Sequence, residues 1–238
     1  MKVLAIDTST VVAAVALMDG EKLLGEYSLN NKKTHSQKLM VMVKEILTDL
    51  EIKPADIDVF AASIGPGSFT GLRIGVTTAK AMAYATSKPV IGVPTLDALA
   101  YNVVTSSLII CPILDARNNQ VFTALYETKD NKIERITEYI GVPVSELVQI
   151  IKEKNRKVIF TGDAIDLHKD FFISELDGNC EFAPLSVRLQ RASSVAEIAL
   201  KMAKDGKTES SFELVPFYLR KSQAERELEK KLCGKGEK

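Results

Sequence analysis

The run IGPGSFTGLRIGVTTAKAMAYA at residues 64–85 constrains the fold more than any other part of the chain. Residues 58–64 form a short apolar stretch that stops at Gly65, Pro66 and Gly67, a turn whose glycines accept backbone angles other residues resist. Ser68 is placed to cap a helix beginning at Phe69. On that helix Gly71, Gly75, Thr78, Ala79 and Met82 recur at helical spacing, so one face is built mostly of small residues. A glycine inside a helix costs about 1 kcal/mol relative to alanine, and close approach of another backbone is what offsets two of them. Three readings follow: a phosphate-binding turn at a helix N-terminus, packing inside the chain, and packing against a partner subunit. GPGSFTG lacks the GK[ST] ending of a P-loop, which favours packing.

The rest of the chain alternates strand and helix patterns. Strands are expected at residues 2–6, 11–17, 22–29, 58–64 and 89–93, with a hairpin turn at Asp19 and Gly20. A helix capped by Thr34 or Ser36 runs to about Leu50 with the stripe Leu39, Met42, Val43, Ile46, Leu47 and Leu50, and a short helix follows Pro94. Met40 lies at the edge of the stripe and Val41 on the far side of the helix, which widens the apolar surface past what one core contact requires. From residue 108 the order recurs: strands at 108–114, 120–126 and 133–140, a helix from Ser145, a strand at 158–160, a helix after Gly162 and Asp163, a short apolar piece at 180–183 and a helix at 193–203. This predicts two similar α/β lobes, residues 1–104 and 105–210, with a segment 211–238 that packs back and ends in a charged tail after Lys221.

Composition excludes several functions. The chain of 238 residues carries 31 basic and 31 acidic side chains, so no net field draws it toward nucleic acid or an anionic membrane. Cys111, Cys180 and Cys233 are odd in number and far apart, which fits a reducing compartment, and the amino terminus reads as a strand; the expectation is a soluble, cytoplasmic protein. His35 and His168 do not form a helical ligand pair, so no metal and no cofactor is expected. Ser9, Ser63 and Ser68 have no base at motif spacing, which leaves no nucleophilic machinery. Asp7, Thr8 and Ser9, at the end of the first strand, are candidate nucleotide-binding residues, since ligands of open α/β sheets bind at strand ends; Asp115 in LDARNN holds a comparable position. An Asx turn is the structural alternative for Asp7.

Taken together, MKVLAIDTST, THSQKLM, SIGPGSFTGLRIGVTTAKAMAY, GVPTLDALA, LDARNNQVFTALY and PFYLRKSQAE resemble the bacterial TsaB family, also called YeaZ, over most of the chain. The resemblance implies an actin-like, ribonuclease-H-like α/β fold in two lobes. It implies a part in making N6-threonylcarbamoyladenosine at position 37 of tRNA, as a non-catalytic component beside the catalytic paralogue TsaD and the ATPase TsaE, with tRNA met only through the complex. TsaD holds its metal through an H-x-x-x-H motif that falls at residues 95–99, where this chain has Thr95 and Leu99, neither able to hold the ion well. In the family the helices matching residues 34–50 and 68–85 bind TsaD, or a second copy when TsaD is absent. The resemblance therefore assigns a partner interface to His35, Leu39, Met40, Met42, Val43, Phe69, Gly71, Leu72, Arg73, Gly75, Ala79 and Met82. A nucleotide-hydrolysing enzyme of the actin-like superfamily is the rival, and an older glycoprotease label finds no peptidase residues here.

Overall fold

A computed structural model describes residues 1–31, 35–104, 106–130 and 132–220. The candidate cap Thr34, the charged tail and Cys233 lie outside the described residues. Strands β1 (Lys2–Asp7), β2 (Ala13–Asp19) and β3 (Lys22–Leu29) lead to helix α1 (His35–Asp49), then β4 (Val59–Gly65), α2 (Phe69–Thr86), β5 (Val90–Pro94) and α3 (Thr95–Tyr101). A five-stranded sheet results, in the order β3-β2-β1-β4-β5, with β1–β2 and β2–β3 antiparallel and β1–β4 and β4–β5 parallel.

The second half repeats this plan. Strands β6 (Ile109–Asp115), β7 (Gln120–Thr123), β8 (Tyr126–Lys129), β9 (Lys132–Arg135) and β10 (Ile140–Pro143) precede α4 (Val144–Lys154), β11 (Val158–Thr161), α5 (Ile165–Glu175), β12 (Cys180–Phe182) and α6 (Ala192–Lys204). The main path of this sheet is β10-β7-β6-β11-β12, the same order and the same pattern of directions as the first. The middle parallel strand of each sheet is closed by a glycine with positive φ, Gly65 at 128° as the last residue of β4 and Gly162 at 115° just after β11, so the duplication extends to backbone detail.

Two expected strands are each divided. Residues 120–126 break into β7 and β8, and residues 133–140 into β9 and β10. The breaks face one another: Leu125 donates its amide to Thr137 Oγ1 at 2.8 Å, and Ile136 donates to the carbonyl of Leu125 at 2.8 Å. The interrupted ladder lets β7 pair with β10 while β8 pairs with β6 and β9.

Helix α6 departs from the expected lobe boundary. Although it follows the second sheet in sequence, it packs on the first, where Val195, Ala196, Ala199 and Leu200 close a cluster with Val3, Ala5, Val59, Ala61, Ile91 and Val93. The opposite face of the first sheet is covered by α1 and α2, whose Leu39, Val43, Ile46, Val76 and Ala79 pack with Leu4, Ile6, Val15 and Phe60. Both faces of a mainly apolar parallel core are thereby buried, which such strands require.

The small-residue face of α2 has an internal occupant. A Cβ added at Gly71 would overlap the carbonyl oxygen of Thr8, and one at Gly75 would overlap the Thr8 hydroxyl. That hydroxyl in turn donates to the carbonyl of Gly71 at 2.7 Å. The end of β1 crosses the glycines, and no partner helix is needed to explain them. Replacing Gly75 by Leu should lower the melting temperature of the isolated protein, an overpacking cost of about 1–3 kcal/mol. Gly71→Ala should also destabilise it, since it meets fixed backbone. A normal melting curve for Gly71→Ala would show that the β1 end is free to move away.

Candidate functional site

The loop after β1 is the best-connected polar cluster in the first half. Asp7 Oδ1 accepts from the Ser9 amide at 2.9 Å and the Ser9 hydroxyl at 2.6 Å, and Oδ2 accepts from Ser63 Oγ at 2.6 Å. Burial pushes the Asp7 carboxyl above the ordinary carboxylate range, against the pull of these donors. Thr10 Oγ1 donates to Gln190 Oε1 at 2.6 Å, and His35 Nε2 lies 2.7 Å from the carbonyl of Thr10. Asp7, Thr8 and Ser9 were candidates to meet a nucleotide, and all three are buried with internal partners. The turn before α2 packs directly on this loop, since the Ser68 amide donates to the Ser9 carbonyl at 2.6 Å and a Cβ at Gly67 would overlap that carbonyl. Ser68 Oγ accepts from the Gly71 amide at 3.2 Å, the expected cap. Two of the amides at this helix start, those of Ser68 and Gly71, are thus engaged by the chain itself.

Between the two sheets lies a cavity of about 410 Å³. The first half contributes Ser9, Thr10 and the 66–69 turn, the second half Asp115, Arg117, Phe122 and Asp163, and the carboxy-terminal segment Phe217 to Arg220. Asp163 Oδ1 accepts from the Asp115 amide at 3.1 Å, and Asp115 Oδ1 accepts from the Arg117 amide at 2.7 Å. Burial lifts the Asp163 carboxyl to about 6; the donated amides oppose the shift and the nearby Asp115 charge adds to it. Arg117, Asn118 and Asn119 all have positive φ, 66°, 54° and 54°, an uncommon run of left-handed residues that turns β6 into β7. Among the described residues, no group of three or more His, Cys, Asp or Glu is placed to hold a metal ion.

A second hollow, of about 720 Å³, runs between α1 and α2. Its floor includes Leu39, Ile74 and Thr78, and its walls Met40, Phe69, Arg73, Thr77 and Ala81. Met40 is 52% exposed and Val41 44% exposed, large apolar side chains left facing outward. The residues assigned to an interface divide here. Met40 and Arg73 are exposed and His35, Phe69 and Met82 half-buried, whereas Leu39, Met42, Val43, Gly71, Leu72, Gly75 and Ala79 are buried within the chain. The buried group faces the first sheet, because it belongs to the apolar stripe of α1 and the small-residue face of α2. Sequence reasoning placed Thr78 on the small-residue face and passed over Ile74, Thr77 and Ala81, although Phe69, Arg73, Thr77 and Ala81 follow one another at i+4 along the opposite face of α2.

Comparison with known proteins decides the family. A family model described as "TsaD: tRNA N6-adenosine threonylcarbamoyltransferase" matches residues 22–228. The chain is 36% identical over 225 residues to the tRNA threonylcarbamoyladenosine biosynthesis protein TsaB of Bacillus subtilis, covering 94% of this chain and 96% of that protein. It is 31% identical over 235 residues to TsaB of Escherichia coli, covering 96% and 98%. The chain belongs to the TsaB family. This family takes part in the biosynthesis of threonylcarbamoyladenosine in tRNA. The fold agrees: YeaZ from Pseudomonas aeruginosa superposes with a TM-score of 0.74 at 20% identity, covering 92% of this chain and 99% of that one. A hexokinase from Thermus thermophilus aligns at a TM-score of 0.50 and 10% identity over 87% of this chain and 100% of that one, which extends the likeness to the actin-like fold at large. No helix among the described residues is long and apolar enough to cross a membrane.

Asp163, in the wall of the cavity, carries a pH signature for this TsaB-family chain. The unfolded carboxyl of Asp163 titrates near 3.8 and the folded one near 6, so between these values the folded state holds a proton the unfolded chain has released. Stability contributed by that proton is full below pH 4 and is lost as pH rises to about 6, a change on the order of 1–3 kcal/mol. Asp163→Asn, which keeps an acceptor for the Asp115 amide, should reduce this fall, leaving the part due to Asp7. Urea midpoints at pH 4.5 and 7 measure it, and an unchanged difference between wild type and variant would remove Asp163 as the source.

Proposed function

We propose that this protein is a non-catalytic subunit of the tRNA threonylcarbamoyladenosine assembly that binds the catalytic subunit TsaD through the hollow between α1 and α2. TsaE is the further partner in this reading, and tRNA is met through the complex. The observation that carries the reading is the exposed apolar side chain of Met40 in the wall of a hollow edged by Phe69 and Arg73. A large apolar side chain left outward beside a hollow is what a partner helix would cover. The same surface, self-matched about a two-fold axis, suits a homodimer when TsaD is absent.

A structural rather than chemical role is supported by what stands where the paralogue has its ligands. Thr95 is buried, its hydroxyl without a hydrogen-bond partner among the described residues, and Leu99 lies in the core. Neither reaches the cavity between the sheets. Asp7, the carboxylate that an actin-like nucleotide enzyme would use, is already held by two serines. The purified chain should therefore show no ATPase activity, and turnover abolished by Asp7→Ala in a clean preparation would overturn the non-catalytic reading.

The docking surface is tested by Met40→Asp. Because Met40 is exposed, the variant should fold and melt like wild type, while a charge in the contact should weaken TsaD binding tenfold or more in titration calorimetry, about 1.4 kcal/mol. Unchanged affinity would move the interface elsewhere. Sedimentation of the same variant alone reports whether the homodimer uses the same face.

A further inference from the structure

The described segment after α6, residues 205–220, has neither helix nor strand, yet it is fastened at close intervals along the first half. Glu209 and Val90 exchange backbone hydrogen bonds of 2.9 and 3.0 Å. Leu214 is buried, its carbonyl accepts from Lys80 Nζ at 2.7 Å, and the Phe217 amide donates to the Ile64 carbonyl at 2.7 Å. Beyond this point the strap changes sides. Tyr218 stacks on Phe69 of α2 with ring centroids 4.6 Å apart, and its hydroxyl accepts from Arg73 Nε at 3.1 Å. Arg73 also lies over the Phe69 ring, 3.9 Å from its centroid. Two residues further on, Arg220 Nη1 donates to the carbonyl of Ala116 in the second half at 2.9 Å.

Phe69 is shared. It edges the hollow between α1 and α2 and also lines the cavity between the sheets, with Tyr218 against it. We infer that the strap transmits occupation of the α1–α2 hollow to the joint between the two halves, with Tyr218 as the positioning residue. The mechanics follow from where the strap is held. On the amino side of Tyr218 the backbone is pinned to β4, so a shift of the Phe69, Arg73 and Tyr218 stack is not absorbed there. It passes to Leu219 and Arg220, and so to Ala116, whose loop continues into the left-handed run at residues 117–119. Such a run persists only where its surroundings over-determine it, so it moves as a unit. A partner that presses on Phe69 and Arg73 therefore resets how the second half sits.

The inference rests on the docking reading above, and its test separates the two. Affinity for cognate TsaD is measured for the full-length wild type, Arg220→Ala, Tyr218→Ala and the double variant, with melting curves for each. Tyr218 is in an irregular segment and 37% exposed, so the variants should melt near wild type. Should Tyr218→Ala melt low, Tyr218→Leu takes its place, covering Phe69 without stacking. Arg220→Ala should weaken binding about threefold to tenfold in the wild-type background and have no further effect once Tyr218 is gone, whereas Tyr218→Phe, which keeps the stack, should preserve the Arg220 effect. Coupling of this kind marks residues acting through one another, while independent contacts multiply. If Arg220→Ala leaves affinity unchanged, or its effect persists undiminished beside Tyr218→Ala, transmission is wrong and the hollow remains the interface. If wild type does not bind TsaD at all, the docking reading falls and takes the strap's role with it.

Discussion

The contact on which most of the first half depends is the seating of Thr8 against the glycine face of α2. Gly71 and Gly75 leave room for the carbonyl and hydroxyl of Thr8, and the hydroxyl answers by donating to the Gly71 carbonyl. With β1 and α2 locked together there, the neighbouring groups fall into place. Asp7 is directed to Ser9 and Ser63, and the Ser9 carbonyl takes the first amide of the turn into α2. Two of the amides at this helix start, those of Ser68 and Gly71, are thereby taken up by the chain's own polar atoms. The helix is then free to turn its other face, Phe69, Arg73, Thr77 and Ala81, outward.

Much of this was legible in the residues. The third strand coincides with its predicted range, and α2 starts at Phe69 behind Ser68, because capping and the short apolar run are local signals. The small-residue face was equally plain as a pattern. What it met was not, since a stripe of glycines records only that something approaches closely. Its occupant lies more than sixty residues earlier in the chain. The same limit hid the division of residues 120–126, where one side-chain hydroxyl, Thr137, interrupts the ladder. The candidate surface was legible in part: Met40 stood out as an apolar residue beside its stripe, while Tyr218 belongs to an irregular strap with no periodicity to mark it. Asp7 shows the opposite case, a conspicuous carboxylate whose neighbours proved to be serines.

The duplicated halves are held to each other by polar groups as well as by the strap. Asp97, within the Thr95 to Leu99 stretch of α3, accepts on one oxygen from Tyr126 at 2.7 Å and Tyr139 at 2.8 Å, both from the second half. Burial and the Asp97 charge keep both phenols protonated well above the usual tyrosine range, so they remain donors at any physiological pH. The stretch that the family resemblance aligns with the paralogue's H-x-x-x-H motif is here part of a fixed hydrogen-bonded joint. Two sheets of matching order thus differ in their setting, the first covered on both faces by α1, α2 and α6 and joined through Asp97 to tyrosines of the second.

The placement of α6 has a consequence for how the chain is made. One face of the first sheet, with Val3, Ala5, Val59, Ala61, Ile91 and Val93, is covered by a helix that begins only at Ala192. During synthesis that face stays bare until the whole second sheet, which ends at Phe182, has emerged. An amino-terminal fragment would carry an exposed apolar sheet surface and invite association with other chains. The two halves, alike in plan, are therefore unequal as folding units, and the first becomes complete only after the second has been translated.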